Sequence, residues 1–342
     1  MCMIQGGVMN KILTISIAAY NVEETLDRAL KSIFNDITIA DKLEVIIEND
    51  GSSDGTQTIA ESYKQKYPKS VIVNNKRNGG YGSTINESIK LASGKYFKQL
   101  DGDDWFESDN LCGFIDYLSA CEDDLIVSPH YIVNQDATSG KKYIVNTFNA
   151  SDNYSINLHN TGIPGDVFMH SLAIKTELLK KHDVTITENC FYTDFEYVFY
   201  PFIYAESLSF YHLPIYDYLL GREGQSVSLT GEKKHYKDRI KVFMRVSEFY
   251  ESNAGKIETT KKGFLDKKID YLEADMYNSM ILVKTGENQK NHLVYIDAIL
   301  RDNYPYVYSI MWKRKSVAIL RRLHFNNFSR SLVKIIIRGR YA

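Results

Sequence analysis

Between Lys11 and Leu100 the sequence switches period six times. Apolar runs of strand length alternate with segments whose apolar residues recur at helical spacing. "ILTISIAA" (12–19) reads as a buried strand and "EETLDRALKSIF" (23–34) as a helix. "LEVIIEN" (43–49), "SVIVNN" (70–75) and "GKYFKQL" (94–100) read as further strands. The segments between them, 52–67 and 81–92, open with capping or turn residues and continue as helices. Strands and helices that alternate through short loops predict a parallel sheet covered on both faces. Ligands of such sheets sit outside the carboxyl ends of the strands.

Three polar segments fall at those ends: "AAYN" (18–21), "ENDGSSDG" (48–55) and "LDGDD" (100–104). The last places Asp101, Asp103 and Asp104 within four positions, where they repel one another. A hard divalent cation such as Mg²⁺ or Mn²⁺ answers that charge, because it prefers oxygen ligands shared with substrate phosphates. Gly102 lets the backbone approach a ligand closely. A solvated turn, with Asp104 capping the next helix, is the plainer reading of the same residues. Asp50 at a strand end can accept an N–H from a nucleobase, or serve the turn alone. The ring of Tyr20, just past Ala18, can stack on a base or fill the core.

Beyond Trp105 the pattern changes. Residues 124–148 read as antiparallel strands about a Ser-Gly turn, 193–205 as an aromatic-rich helix, and 207–220 as strand. From Glu232 the pattern is helical. The expected organisation is a leader without structure (1–10), an α/β catalytic domain (11–230), a helical appendage (231–302) and a basic tail (303–342).

Four scattered cysteines form neither a disulfide framework nor a zinc knuckle. No apolar run approaches the length of a membrane span, and the N-terminus lacks a signal peptide's charged start and apolar core. The expected location is the cytoplasm. Charge is uneven along the chain. Nine basic residues and no acid follow Asp302, so a net charge of −2 divides into −11 before that point and +9 after it. Interleaved with Trp312, Leu320, Phe325 and Ile336, these bases suit an anionic membrane surface. Packing on the domain, or a homodimer contact, would use the same residues. An acidic body without a recognition motif argues against nucleic acid.

In order and spacing, "ISIAAYN", "VIIENDGSSDGT", "NKRNGGYGSTINESI" and "GKYFKQLDGDDW" resemble the nucleotide-binding half of family-2 glycosyltransferases, over about residues 11 to 230. These are inverting enzymes of the GT-A fold, which has a Rossmann-like, mostly parallel sheet. The resemblance implies a UDP-sugar donor, a glycan or lipid-linked acceptor, and surface polysaccharide synthesis at the inner face of the membrane. Carried over by position, Ala18, Tyr20 and Asp50 hold the base, and Asn78 and Gly79 form the loop beside the donor. Asp101 and Gly102 border the ribose and cation, and Asp103 is the main metal ligand, with Asp101 beside it. In "TDFEY" the resemblance makes Asp194 the catalytic base, with Glu188 and Glu196 as the other carboxylates in reach. In "GREGQSVSL" it implies that Arg222 meets the leaving diphosphate, with Gln225 and Ser226 following it. A sugar nucleotidyltransferase would need a Gly-rich, Arg-containing loop after the first strand, and "AAYNVEETL" has none. A non-catalytic nucleotide-sugar-binding scaffold would have no use for both Asp103 and Asp194.

Overall fold

A computed structural model describes residues 11–134, 142–221, 229–283, 287–311 and 314–338. They divide into two compact units. One runs to Asn189 and resumes at Tyr204–Gly221; the other comprises Cys190–Ile203 and the chain from Arg222 onward.

The first unit begins as the periodicity predicts: β1 (Leu13–Ala19), α1 (Leu26–Ile33), β2 (Leu43–Asn49), α2 (Thr56–Lys66), β3 (Val71–Asn75), α3 (Tyr81–Leu91) and β4 (Tyr96–Asp101). Then follow β5 (Trp105–Phe106), α4 (Ser108–Ala120), β6 (Leu125–Val127), β7 (His130–Asn134), β8 (Lys142–Val145), β9 (Tyr154–Asn157), β10 (Leu172–Lys175) and α5 (Thr176–Lys181). After α6 (Asp194–Tyr204), the unit closes with β11 (Ser207–Phe210) and β12 (Tyr216–Leu220).

The large sheet has the order β3-β2-β1-β4-β10-β6-β11-β9. Its first four strands are parallel, whereas β10 runs antiparallel to both β4 and β6. One face of β1 and β2 is largely apolar, with Leu13, Ile15, Ile17, Val45 and Ile47 all fully buried, while the other face also buries polar groups, Thr14, Ser16 and Glu48 among them. A smaller sheet, β5-β12-β7-β8, stands beside the acidic turn. Segment 207–220, which reads as one strand, is broken by Pro214 into two strands serving different sheets.

The second unit is helical: α7 (Leu229–Lys234), α8 (Tyr236–Asn253), α9 (Thr259–Val283), α10 (Glu287–Asn303), α11 (Pro305–Ile310), α12 (Lys315–Arg322) and α13 (Asn327–Arg338). It also takes α6 up to Ile203, a helix that the sequence pattern assigned to the α/β domain. The other six helices of this unit pack around α9, which is why α9 buries residues on every side rather than along one stripe. The basic tail is part of this packing. Val317, Leu320, Phe325, Val333 and Ile337 are buried, and so are two of the tail's charges. Arg321 pairs with Glu273 at 2.7 Å and Asp297 at 2.6 Å, and Arg330 donates to Gln289 at 3.3 Å. Arg314 pairs with Asp270 at 2.9 Å. Among the described residues, no helix is long and apolar enough to cross a membrane.

Candidate active site

The sheet sets three strand ends side by side. In register, Ala19 of β1 faces Asn49 of β2, and Ala18 faces Asp101 of β4. Tyr20 follows β1 and is 54% exposed, open to stack on a flat ligand. Asn49 completes the turn after β2, accepting from Ser52 N at 3.1 Å. Gly102 makes its close approach to protein: its N–H donates to the Ala18 carbonyl at 3.1 Å, and a Cβ there would lie 2.8 Å from that oxygen.

Asp50 is buried and holds the loop after β3. Its carboxylate accepts from Gly79 N and Gly80 N at 2.9 Å each and pairs with Lys76. Gly80, at φ 77°, takes a left-handed conformation that a side chain would strain, and this turn starts α3. Asn78 is exposed on the same loop. The loop delivers Tyr81, whose hydroxyl donates to Asp101 at 2.6 Å.

The acidic turn is held from several directions. Arg28 of α1 donates to the Asp103 carbonyl at 2.8 Å while its guanidinium lies 3.8 Å from the Trp105 ring centre. Asp104 does not cap the next helix, because α4 starts at Ser108 with Glu107 at its cap. Instead it is buried and accepts from Tyr216 Oη at 2.6 Å and Leu219 N at 2.8 Å, tying β12 to the turn. Burial, reinforced by the charges of Asp101 and Asp103, holds its carboxyl well above the usual carboxylate range.

Opposite the turn, His170 stands in a short 3-10 turn before β10, its ring stacked on Tyr218 at 4.2 Å. Among the described residues, Asp101, Asp104 and His170 bring their ligand atoms within 4.8 Å of one another, and Asp103 lies outside that group. The two carboxylates suit Mn²⁺ or Mg²⁺, and the imidazole nitrogen fits Mn²⁺ better than Mg²⁺, which prefers oxygen ligands throughout. Burial and the nearby His130 and Lys98 hold His170 well below its ordinary pKa, keeping it neutral as a metal ligand must be. Lys98 is fully buried in β4, its ammonium donating to the carbonyls of His170 at 2.8 Å and Leu172 at 3.3 Å. Burial lowers its pKa to about 7.

Sequence reasoning missed His170, Lys98, Tyr216 and Tyr218. Only Lys98 carried a local signal, a cation inside the apolar run "GKYFKQL".

The carboxylate read as the base lies in the helical unit. Asp194 opens α6 and is exposed, yet dense surrounding protein raises its pKa against the pull of Arg239 and of its own and Phe195's N–H groups. Glu196 is fully buried. Glu188, in the first unit, is exposed and accepts from Asn86 at 3.0 Å. Arg222, Gln225 and Ser226 lie outside the described residues.

The order of the sheet, with its acidic strand end and glycine loop, defines a GT-A glycosyltransferase fold. The family model "Glycosyl transferase family 2" matches residues 14–182, and the chain carries a family-2 glycosyltransferase domain. The minor teichoic acid biosynthesis protein GgaB of Bacillus subtilis is 29% identical over 53% of this chain and 20% of its own length. The poly(ribitol-phosphate) beta-glucosyltransferase of Bacillus spizizenii is 24% identical over 84% of this chain and 44% of its own length. The chain thus spans less than half of each of these two relatives. Among solved structures, S. aureus TarS 1–349 in complex with UDP-GlcNAc superposes with a TM-score of 0.66 at 17% identity, covering 96% of this chain and 92% of that one.

Proposed function

We propose that this chain is a metal-dependent, inverting hexosyltransferase. It moves a sugar from a UDP-sugar to a hydroxyl of a glycan or lipid-linked acceptor in surface polysaccharide synthesis. The observation that carries the reading is the register that lines up Tyr20, Asp50 and Asp101 at adjacent strand ends within the family-2 domain. The names of the teichoic acid relatives and the UDP-GlcNAc complex of TarS support the donor and acceptor classes.

In this mechanism Tyr20 stacks on the base, and Asp50 shapes the loop through Gly79 and Gly80, with Asn78 exposed beside the donor. Asp101, with Asp104 and His170, would hold the cation, and Asp103, on the same turn, would serve it as a further ligand. Bound there, a divalent cation would neutralise charge on the departing diphosphate. Asp194 takes the proton of the acceptor hydroxyl. The oxygen of that hydroxyl attacks the anomeric carbon from the side opposite the diphosphate, whose bond to the sugar breaks, and the configuration inverts. Arg222 would meet the phosphate oxygens as charge gathers on them. Incubation with a panel of nucleotide sugars and Mn²⁺ tests the reading. Release of UDP from a UDP-sugar is expected, and release only from other nucleotide sugars, or none from any, overturns it.

A cytoplasmic location, with docking on the inner face of the membrane, completes the proposal. In and just after α12, Lys315, Arg322 and Leu323 are exposed, and in α13 Phe328 is 68% and Ile335 70% exposed. Attraction to anionic lipid is worth about 1 kcal/mol for each basic residue near the surface and fades with salt. Deleting the tail is a poor test, because it strips Arg321 from Glu273. The full chain should co-sediment with phosphatidylserine vesicles at low salt and much less at high salt. The variant Phe328→Ser/Ile335→Ser should lose most of this binding; equal sedimentation of both proteins would show that these side chains do not reach lipid.

A further inference from the structure

Tyr192 has φ 66°, the left-handed region, where a bulky aromatic side chain is rarely tolerated. Its ring is buried, and its carbonyl accepts from Phe195 N at 3.4 Å, so this residue forms the entry to α6 two positions before Asp194. A backbone held in a sparsely populated region persists only where its surroundings over-determine it. The surroundings here are specific. The guanidinium of Arg239, from α8, lies 3.6 Å from the centre of the Tyr192 ring. That guanidinium is fixed in turn. Glu232 of α7 accepts from Nε at 3.4 Å and from Nη2, and Asp275 of α9 accepts from Nη1 at 3.5 Å. Ser279 of α9 donates to Glu232 at 2.7 Å.

We infer that Arg239 is a positioning residue for the proposed base: clamped by Glu232 and Asp275, it holds Tyr192 in its strained conformation and so sets where the Asp194 carboxylate stands. The inference rests on the reading of Asp194 as base. An ion network that only joined α7, α8 and α9 would need Arg239, Glu232 and Asp275, but no aromatic ring in a strained backbone under the cation. Arginine suits the task because its planar fork can meet carboxylates at its edge while its face stacks on a ring, which a lysine ammonium cannot do. The same cation also favours the ionised form of Asp194.

The test uses the full chain and compares Arg239→Lys, Tyr192→Leu and Tyr192→Phe by kcat, donor KM, UDP binding and thermal melting. A misplacement of about 1 Å at a reacting group can cost as much as ~10²-fold in rate. Arg239→Lys and Tyr192→Leu should therefore lose at least about 10-fold in kcat, with donor KM and UDP affinity held within about twofold. Tyr192→Phe keeps the ring and should keep most of the turnover. If Arg239→Lys melts far below the parent, Tyr192→Leu carries the test, since it leaves both ion pairs in place. Turnover within about twofold of the parent in Tyr192→Leu, or losses confined to KM, would overturn the inference and leave Arg239 as a link between helices. Asp194→Asn separates this outcome from failure of the base assignment. If that variant stays active, the base reading fails on its own. If it is inactive, adding Arg239→Lys should lower the residual rate no further, as expected of residues acting as one unit.

Discussion

Replacing Asp194 by Asn is expected to lower turnover by about 10²- to 10⁴-fold while UDP binds as before. The substitution keeps the shape of the side chain and removes only its ability to take a proton. The residues proposed to hold the base of the donor, Tyr20 and Asp50, lie in the other unit, so the change should appear in kcat rather than in donor KM. Its environment suits the task. Asp194 is exposed and can meet a hydroxyl, and its raised pKa makes it a stronger base than an ordinary aspartate. Activity should accordingly fall as pH drops through a value above the ordinary aspartate range, as Asp194 gains its proton. Glu196 is the control, since a fully buried carboxylate cannot touch an acceptor. Near-normal turnover in Asp194→Asn would overturn the base assignment, whatever Glu196→Gln does.

Asp101→Ala should abolish metal-dependent UDP binding as well as transfer; titration calorimetry with UDP and Mn²⁺ measures the first, and UDP release from a UDP-sugar the second. Asp101 is half-buried, takes the Tyr81 hydroxyl at 2.6 Å, and lies within ligand distance of Asp104 and His170. Its loss leaves a cation with an imidazole and a carboxylate already committed to Tyr216 and Leu219. Asp103→Ala, run in parallel, decides how the turn shares the work. If Asp103 is the main ligand, its removal is at least as damaging; if it only faces the diphosphate from outside the group, UDP binding weakens but keeps its dependence on Mn²⁺. Unchanged binding in both variants would remove the cation from this turn altogether.

The parts of the fold legible in the sequence are those encoded locally. From β1 to β4, strand runs and helix-period segments follow one another, and hydrophobic period alone places each element within a few residues. The acidic strand end is legible for the same reason, since its carboxylates are neighbours in sequence. His170 and Tyr216 are not. They reach the turn from about 70 and 115 residues further along, and neither "VFMHS" nor "IYDYLL" carries a local pattern that points back to Asp101. Asp104 was legible as an acid before a helix, but not as the anchor of β12, because that role depends on a strand from the far end of the unit. The allegiance of α6 was hidden too. A helix apolar all round must be buried, but its composition does not say by which neighbours.

That allegiance matters while the chain is being made. The first unit is not contiguous: the chain leaves it at Cys190 and returns at Tyr204 to supply β11, which lies between β6 and β9. The large sheet cannot be completed until about residue 210 has left the ribosome. By then Phe199, Tyr200 and Phe202 have also emerged, but the rings they pack on, Tyr250, Phe249 and Phe264, have not. At roughly 5–20 residues per second, this aromatic segment waits for several seconds without its partners. During that interval a nascent chain can associate with another through the same rings. The yield of folded protein should therefore respond to translation speed and to chaperones that shield apolar segments more than the stability of the finished fold would suggest.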